Sequence, residues 1–136
     1  MPSSLRWLAA LVLLAVAGAI ASGAVLYVET RHSNQMRAEA ITGGNSDAGS
    51  SIIARVGCGS CHIIPGITGA TGRVGPSLQG IATRATIAGV LSNDPSQMRR
   101  WFKHPQSVLP GNGMPDQPIT DREARDVAAY LYTLKH

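Results

Sequence analysis

The chain is short of the residues that usually build a core. Its 136 residues include one Phe, two Trp and three Tyr, and past position 46 the aromatics are Trp101, Phe102, Tyr130 and Tyr132. Gly and Pro occupy many of the remaining positions. A segment of that size with so few large apolar side chains buries limited surface and is marginal unless something is added to it. Cysteine is scarcer still: Cys58 and Cys61 are the only two. A four-cysteine zinc site is thereby excluded, and His32, His104 and His136 are too widely spaced to complete a mixed one. The pair also lacks the strand-helix-strand surroundings of a thioredoxin-like dithiol. No internal repeat is present.

What is present is Cys58-Gly59-Ser60-Cys61-His62. Two thiols three positions apart, followed directly by an imidazole, have the spacing of a c-type haem attachment site. Two sulfurs on one turn reach the two vinyl groups of one porphyrin, while the adjacent His swings under the ring to ligate iron. A disulfide between the two cysteines is the competing reading in an oxidising compartment. One such motif implies one covalent haem, and a large flat apolar group is what a core this poor needs.

A single His leaves a second iron position whose occupant decides the chemistry: Met suits electron transfer, an open site suits ligand binding or catalysis. Candidates are Met36, Met98, Met114, His32, His104 and His136. Met114 is favoured, because Leu109-Pro110-Gly111-Asn112-Gly113-Met114-Pro115 is an irregular loop that can carry a thioether across a flat face. His104, held extended ahead of Pro105, is its rival. Met98 falls inside an expected helix, Met36 beside the N-terminal apolar run, and His136 at the terminus.

That apolar run, Trp7 to Val28, has 22 residues without an ionisable side chain. At about 1.5 Å per residue it spans roughly 33 Å, enough for a hydrocarbon core of about 30 Å. A cleaved signal peptide is the alternative, with Arg6 before it and Ala19-Ile20-Ala21 as a cleavage site. The run continues past that site through Val28, which favours a retained anchor. The expected organisation is an anchor over 1–28, a polar linker with a flexible Gly43-Gly44-Asn45-Ser46 hinge over 29–46, and a haem domain over 47–136.

Within the haem domain, Ser50 or Ser51 is expected to cap a helix carrying Ile52, Ile53 and Val56 into the Cys pair. Gly57 and Gly59 are read as allowing close approach to the porphyrin. Residues 63–75 look like a loop, and 76–84 like a short helix or turns. Asp94 with Pro95 and Gln97 opens a helix to Lys103. Thr120 with Glu123 opens another over 121–134, whose apolar face is Ala124, Val127, Ala128, Leu131 and Leu134. The fold class is all-α, with three to five short helices around one haem.

These residues, in this order, resemble the class I c-type cytochromes of the membrane-anchored monohaem type. The resemblance rests on the haem motif, Gly75-Pro76-Ser77-Leu78, Trp101-Phe102-Lys103-His104-Pro105, Pro110-Gly111 with Met114, and Ala129-Tyr130-Leu131. It implies thioethers at Cys58 and Cys61, His62 as proximal and Met114 as distal ligand, and a hydrogen bond from His62 to the Pro76 carbonyl. It places Trp101 beside the distal ligand, and Tyr130 packing the last helix on the first. Ala54 stands where a Phe is usual, His104 where an Asn is common, and Asn112 where a Thr often contacts a haem propionate.

The function implied is a one-electron carrier rather than an enzyme, serving membrane-bound respiratory complexes as donor and acceptor, with a terminal oxidase as the expected acceptor. A fixed haem subunit of an oxidase or dehydrogenase is the alternative; a gas-binding or peroxidase-type haem protein is disfavoured by the motif's early position. In families with this motif haem is attached outside the cytoplasmic membrane. The expected location is therefore the bacterial cytoplasmic membrane, single-pass, with the N-terminal helix in lipid and the haem domain in the periplasm. From Asp47 onward nine Lys or Arg face six Asp or Glu; Arg99, Arg100 and Lys103 form a cluster that could steer an acidic partner. No larger basic patch exists, which argues against nucleic acid.

Overall fold

The computed structural model describes residues 2–135, and the chain divides into two units, Met1–Ser33 and Asn34–His136. His136, one of the candidate ligands, lies outside the described residues. Helix α1 (Ser3–Thr42) runs through the first unit into the second. In the first unit its side chains are exposed throughout, and its most apolar 18-residue window has a mean hydropathy of 2.4. That helix is long and apolar enough to cross a membrane. At its polar end the Arg31 guanidinium lies over the Tyr27 ring, 4.9 Å from the centroid.

The second unit contains the last turns of α1, then α2 (Ser46–Val56), α3 (Pro95–Lys103), α4 (Pro105–Val108) and α5 (Asp121–Thr133). A two-residue hairpin, β1 (Thr86–Ile87) with β2 (Leu91–Ser92), pairs antiparallel with Ile87 opposite Leu91. The all-α architecture expected from the sequence holds, with this hairpin as its one addition among the described residues. Its loop places Ala88 at φ 52 and Gly89 at φ 74, a pair of left-handed residues that closes a tight turn.

The segment between α1 and α2 is compact. Glu39 Oε1 accepts from both the backbone N–H and the hydroxyl of Ser46, each at 2.9 Å, and Thr42 Oγ1 donates to the Ala38 carbonyl at 2.7 Å. Asn45 donates its backbone N–H to Asp126 Oδ1 at 2.8 Å, and its own side chain accepts from Ala48 N. Asn45 is therefore the N-cap of α2, in place of the serines expected in that role. Ser50 and Ser51 sit one turn inside the helix and return their hydroxyls to the Asp47 carbonyl, the usual use of a hydroxyl in a helix interior.

α2 crosses α5 at backbone distance, and this is the most extensive helix contact. A Cβ on Gly49 would stand 2.0 Å from the Asp126 carbonyl oxygen, and one on Gly44 2.2 Å from that of Arg125. On α5 the groups met there are the backbone of Arg125 and Asp126 and the Cβ of Tyr130, and Ala124, Ala128 and Ala129 of the same helix are all fully buried. Small residues on both helices bring Ile52 and Ile53 of α2 within reach of Val127 and Leu131 of α5, all in one apolar cluster with Phe102 and Met98.

α3 and α5 begin where the sequence places them. Asp94 accepts from the N–H groups of Ser96 and Gln97, with Pro95 at the first helical position. Gln97 does not reach back to complete a capping box; its Oε1 is buried without a partner among the described residues. Thr120 and Glu123 make the full reciprocal box. Glu123 also pairs with Arg55 of α2, and Lys103 of α3 with Asp121 of α5.

Two consequences can be measured on the haem-loaded protein. Gly49→Ala should cost on the order of 1–3 kcal/mol of stability, read as a lowered denaturant midpoint, because the added methyl meets backbone that cannot yield locally. Asp94 is held down at about 2 by hydrogen bonds from the Ser96 hydroxyl, the Gln97 N–H and the Ser92 hydroxyl. A carboxylate whose folded value lies below its unfolded one stabilises above the unfolded value and loses that contribution as pH falls. Asp94→Ala should therefore cost about 1 kcal/mol near neutral pH, with the gap to wild type closing as pH is lowered from about 4 to about 2 in unfolding titrations.

Candidate functional site

α2 stops one residue before the motif. Gly57 takes φ 83 and returns its N–H to the Ile53 carbonyl, the left-handed end that glycine favours. Cys58–Ser60 then form a single 3₁₀ turn, closed by hydrogen bonds from Ser60 N to Gly57 O, and from Cys61 N and His62 N to Cys58 O. The cysteines thus ride on a tight turn outside α2. Gly59 owes its identity to a different neighbour from the one expected: a Cβ there would lie 2.6 Å from the Ala70 Cβ, so the constraint is the returning 63–72 loop. That loop is tied back by Gly72 N to Gly59 O at 3.0 Å and by Ile64 N to Ala70 O at 3.2 Å. Tyr130 of α5 donates its hydroxyl to the Pro65 carbonyl at 2.7 Å, pinning the loop to the last helix.

His62 is oriented by backbone. Its Nδ1 donates to the Pro76 carbonyl at 2.7 Å, which fixes the tautomer and leaves Nε2 as the free ring nitrogen. The imidazole lies flat on Gly75, where a Cβ would come 2.3 Å from Cε1. Gly75 N in turn donates to Cys61 O at 2.8 Å. The strand of chain 75–79 is itself held by Arg84, whose guanidinium donates to the Ser77 and Gln79 carbonyls.

These residues face a cavity of about 520 Å³. Cys58, Cys61, His62, Pro76, Trp101, Asn112 and Met114 all line it. Its remaining walls are chiefly apolar, from Ile53, Leu78, Ile81, Met98, Phe102, Val127 and Leu131 among others, and Arg84 is its only charged side chain among the described residues. Both thiols are unpaired. Burial pushes the Cys58 thiol above its ordinary value, and the neighbouring Cys61 adds to the rise against an opposing backbone hydrogen bond. A redox-active dithiol requires the opposite, a stabilised thiolate.

The other candidates are placed apart from the cavity or in its wall. His104 ends α3 exposed, its Nδ1 3.7 Å from Asp116 Oδ2, and does not line the cavity. Met98 is a buried wall residue in α3; Met36 and His32 are exposed on α1. Trp101 is half-buried on the wall, its indole N–H without a protein acceptor among the described residues. Arg99, Arg100 and Lys103 also stand outside the cavity lining, and Lys103 is engaged by Asp121.

Met114 is carried by a loop without a backbone ladder, and two side-chain amides do the work instead. Asn112 accepts from Met114 N at 2.8 Å and donates Nδ2 to the Pro105 and Leu109 carbonyls at 3.0 and 2.7 Å. Both amide hydrogens are spent on backbone carbonyls, one in α4 and one in the loop, so Asn112 has none to offer a propionate. Gln106 supplies the second amide. Neither Gln106 nor Arg84 stands out in the sequence, since each acts on backbone carbonyls whose positions only the fold defines. Asn93 is similar: it donates to the Ile81 and Arg84 carbonyls and accepts from the Tyr132 hydroxyl at 2.8 Å. Burial pushes that hydroxyl up to about 12, with the Asp94 charge adding.

The cytochrome c family model matches residues 46–135. Curated relatives include cytochrome c oxidase subunit 2 of Alkalihalophilus pseudofirmus, 32% identical over 91 residues, which cover 66% of this chain and 26% of that protein. Cytochrome c2 of Rhodopila globiformis is 35% identical over 77 residues, 46% of this chain and 72% of that protein. Cytochrome c oxidase subunit 2 of Bacillus subtilis is 31% identical over 91 residues, 64% of this chain and 26% of that protein. The chain thus spans about a quarter of the length of the oxidase subunits it matches. No solved structure matches significantly.

A small helical domain, an attachment pentapeptide and an apolar cavity beside it define a haem-binding domain. The chain belongs to the cytochrome c family, whose members are electron-transfer proteins carrying covalently bound haem c. The residues present fit that group: two unpaired thiols, an imidazole with one free nitrogen and apolar walls converge on one cavity, whose volume lies within the about 300–1,000 Å³ usual for cofactor sites.

Because the His62 ring rests on bare backbone, Gly75→Ala should displace it. The expected outcome is a marked fall in the yield of protein with covalently bound haem, read by in-gel haem staining against total protein.

Proposed function

We propose that this chain is a membrane-tethered one-electron carrier whose haem is bound through thioethers at Cys58 and Cys61 and ligated axially by His62 and Met114. The observation that carries the reading is the His62 Nδ1 to Pro76 O hydrogen bond of 2.7 Å at the wall of the cavity that also receives both thiols and Met114. That bond holds the ring in one tautomer and raises the basicity of its other nitrogen. When bound, the haem supplies a ferric/ferrous couple, and a Met ligand raises its potential. The apolar walls exclude water from the cavity, and Arg84 places one positive charge at its edge. By sign alone that charge favours the reduced, less positive state.

The tether is α1. Its apolar part is long enough to span a bilayer once, with the haem domain on the periplasmic side of a bacterial cytoplasmic membrane. Tethering raises the effective concentration of a partner held in the same membrane. The partner class is a membrane-bound respiratory complex, with a terminal oxidase as acceptor; the relatives named cytochrome c oxidase subunit 2 support that choice. The same relatives favour a second reading, in which the chain is a fixed haem subunit of such a complex.

A spectroelectrochemical titration of the haem-loaded full chain in detergent tests the ligation. A reversible one-electron couple and the near-infrared sulfur-to-ferric-iron absorption are expected. Met114→His should abolish that absorption and lower the midpoint potential; an unchanged spectrum and potential would remove Met114 from the assignment. Affinity purification from the membrane separates the two functional readings, since a stoichiometric complex that survives detergent identifies the fixed subunit.

A further inference from the structure

Gln106 sits in α4 with its side chain at the surface, directly after Pro105, which is fully buried. Its amide nevertheless reaches three backbone groups of one loop. Nε2 donates to the Asn112 carbonyl and to the Met114 carbonyl, both at 2.8 Å, and Oε1 accepts from Gly111 N at 3.1 Å. The orientation of the amide is forced, because carbonyls only accept and a backbone N–H only donates. With Met114 N bonded to Asn112 Oδ1 at 2.8 Å, both backbone polar groups of Met114 are held by side chains.

Few backbone bonds hold this loop to its neighbours. Residues 109–120 contain no helix or strand, and Pro110, Pro115 and Pro118 offer no N–H to a ladder. The remaining ties are longer: Gln117 N to the Lys103 carbonyl of α3 at 3.3 Å, Gln106 N to Asp116 Oδ1 at 3.4 Å, and His104 to Asp116 at 3.7 Å between exposed groups. Asn112 also reaches α4, through the Pro105 carbonyl at 3.0 Å, but of Met114 it holds only the N–H; Gln106 is the tie from α4 to the Met114 carbonyl, and Pro105 fixes α4 in the core.

We propose that Gln106 is a positioning residue for Met114: by clamping the Asn112 and Met114 carbonyls to α4 it sets how firmly the thioether holds its place in the cavity against a competing ligand. This rests on the axial assignment of Met114. Two variants separate hydrogen bonding from bulk. Gln106→Met keeps the length and loses all three bonds. Gln106→Glu keeps an acceptor for Gly111 but sets a carboxylate against two carbonyl oxygens.

The probe is imidazole, titrated into the ferric, haem-loaded full chain in detergent and followed by its absorption spectrum. Its affinity should rise about tenfold in Gln106→Met, the change expected when about half the worth of three ordinary hydrogen bonds reaches the axial ligand, and further in Gln106→Glu, with weakening of the near-infrared sulfur-to-iron absorption in both. Tyr132→Phe, which loses the bond to Asn93 away from this loop, should lower thermal stability and leave imidazole affinity within about twofold of wild type, because general loosening is not the cause. Met114→Ala is the reference for the axial assignment. If it loses the near-infrared absorption while both Gln106 variants bind imidazole as wild type does, Gln106 has no positioning role and Met114 keeps its own. If Met114→Ala retains that absorption, the axial assignment fails and the role of Gln106 fails with it.

Discussion

The backbone contact between α2 and α5 is the constraint on which the rest of the domain depends. Two glycines, Gly44 and Gly49, face α5 where a Cβ would overlap its carbonyls. A glycine inside a helix costs about 1 kcal/mol of propensity, and α2 accepts that cost to bring the axes together. The gain is positional. α2 delivers the 3₁₀ turn of Cys58–Ser60 from one side, and α5 presents Val127 and Leu131 from the other. Asp126 serves the same crossing, since its buried carboxylate receives the Asn45 N–H and so fixes where α2 begins. Widening the crossing would move the turn, the imidazole behind it and one wall of the cavity together.

A small domain with a cavity of about 520 Å³ at its centre has spent its core on a ligand site. Ile53 and Pro105 are the largest fully buried side chains, and most other large apolar residues of the second unit pack around the cavity. The family's haem supplies the apolar mass that the sequence lacks, so cofactor and core are one object. The polar groups at the site follow the same economy. His62, Arg84, Asn93 and Gln106 act on backbone carbonyls of loops, replacing the ladders that those loops cannot form.

What could be read from the sequence was what local chemistry determines. The attachment pentapeptide, the Asp94-Pro95 start of α3 and the Thr120/Glu123 box of α5 are complete within a few residues, and the structure has α3 and α5 starting there. The start of α2 differs from the expected one because Asn45 lies in a Gly-Gly-Asn-Ser run that looks like a flexible joint; its side chain caps Ala48 N, and the distant Asp126 carboxylate holds its backbone N–H in place. The glycines of the motif were read toward the cofactor, yet Gly57 serves a left-handed helix end and Gly59 makes room for Ala70. The hairpin at 86–92 carries no Asn-Gly or Asp-Gly signal, since Ala88 takes the left-handed position that Asn or Asp usually fills. Gln106 was invisible for the same reason as Asn93: an amide clamp is defined by where carbonyls come together, and spacing along the chain does not record that.

The turn at Cys58–Ser60 has one more consequence, for the order in which the molecule is assembled. The hydrogen bonds that close it join residues no more than four apart, from Gly57 to His62, and its ties to Gly72 and Gly75 come from within about fifteen positions. Bringing Met114 to the same cavity closes a segment of 52 positions (114 − 62), at an entropic cost of roughly 3.5 kcal/mol beyond a constant. The turn is therefore the cheaper half of the cavity wall to form, and the Met114 loop the costlier one. Once a rigid group is fixed there, it becomes the surface on which the costlier loop can condense.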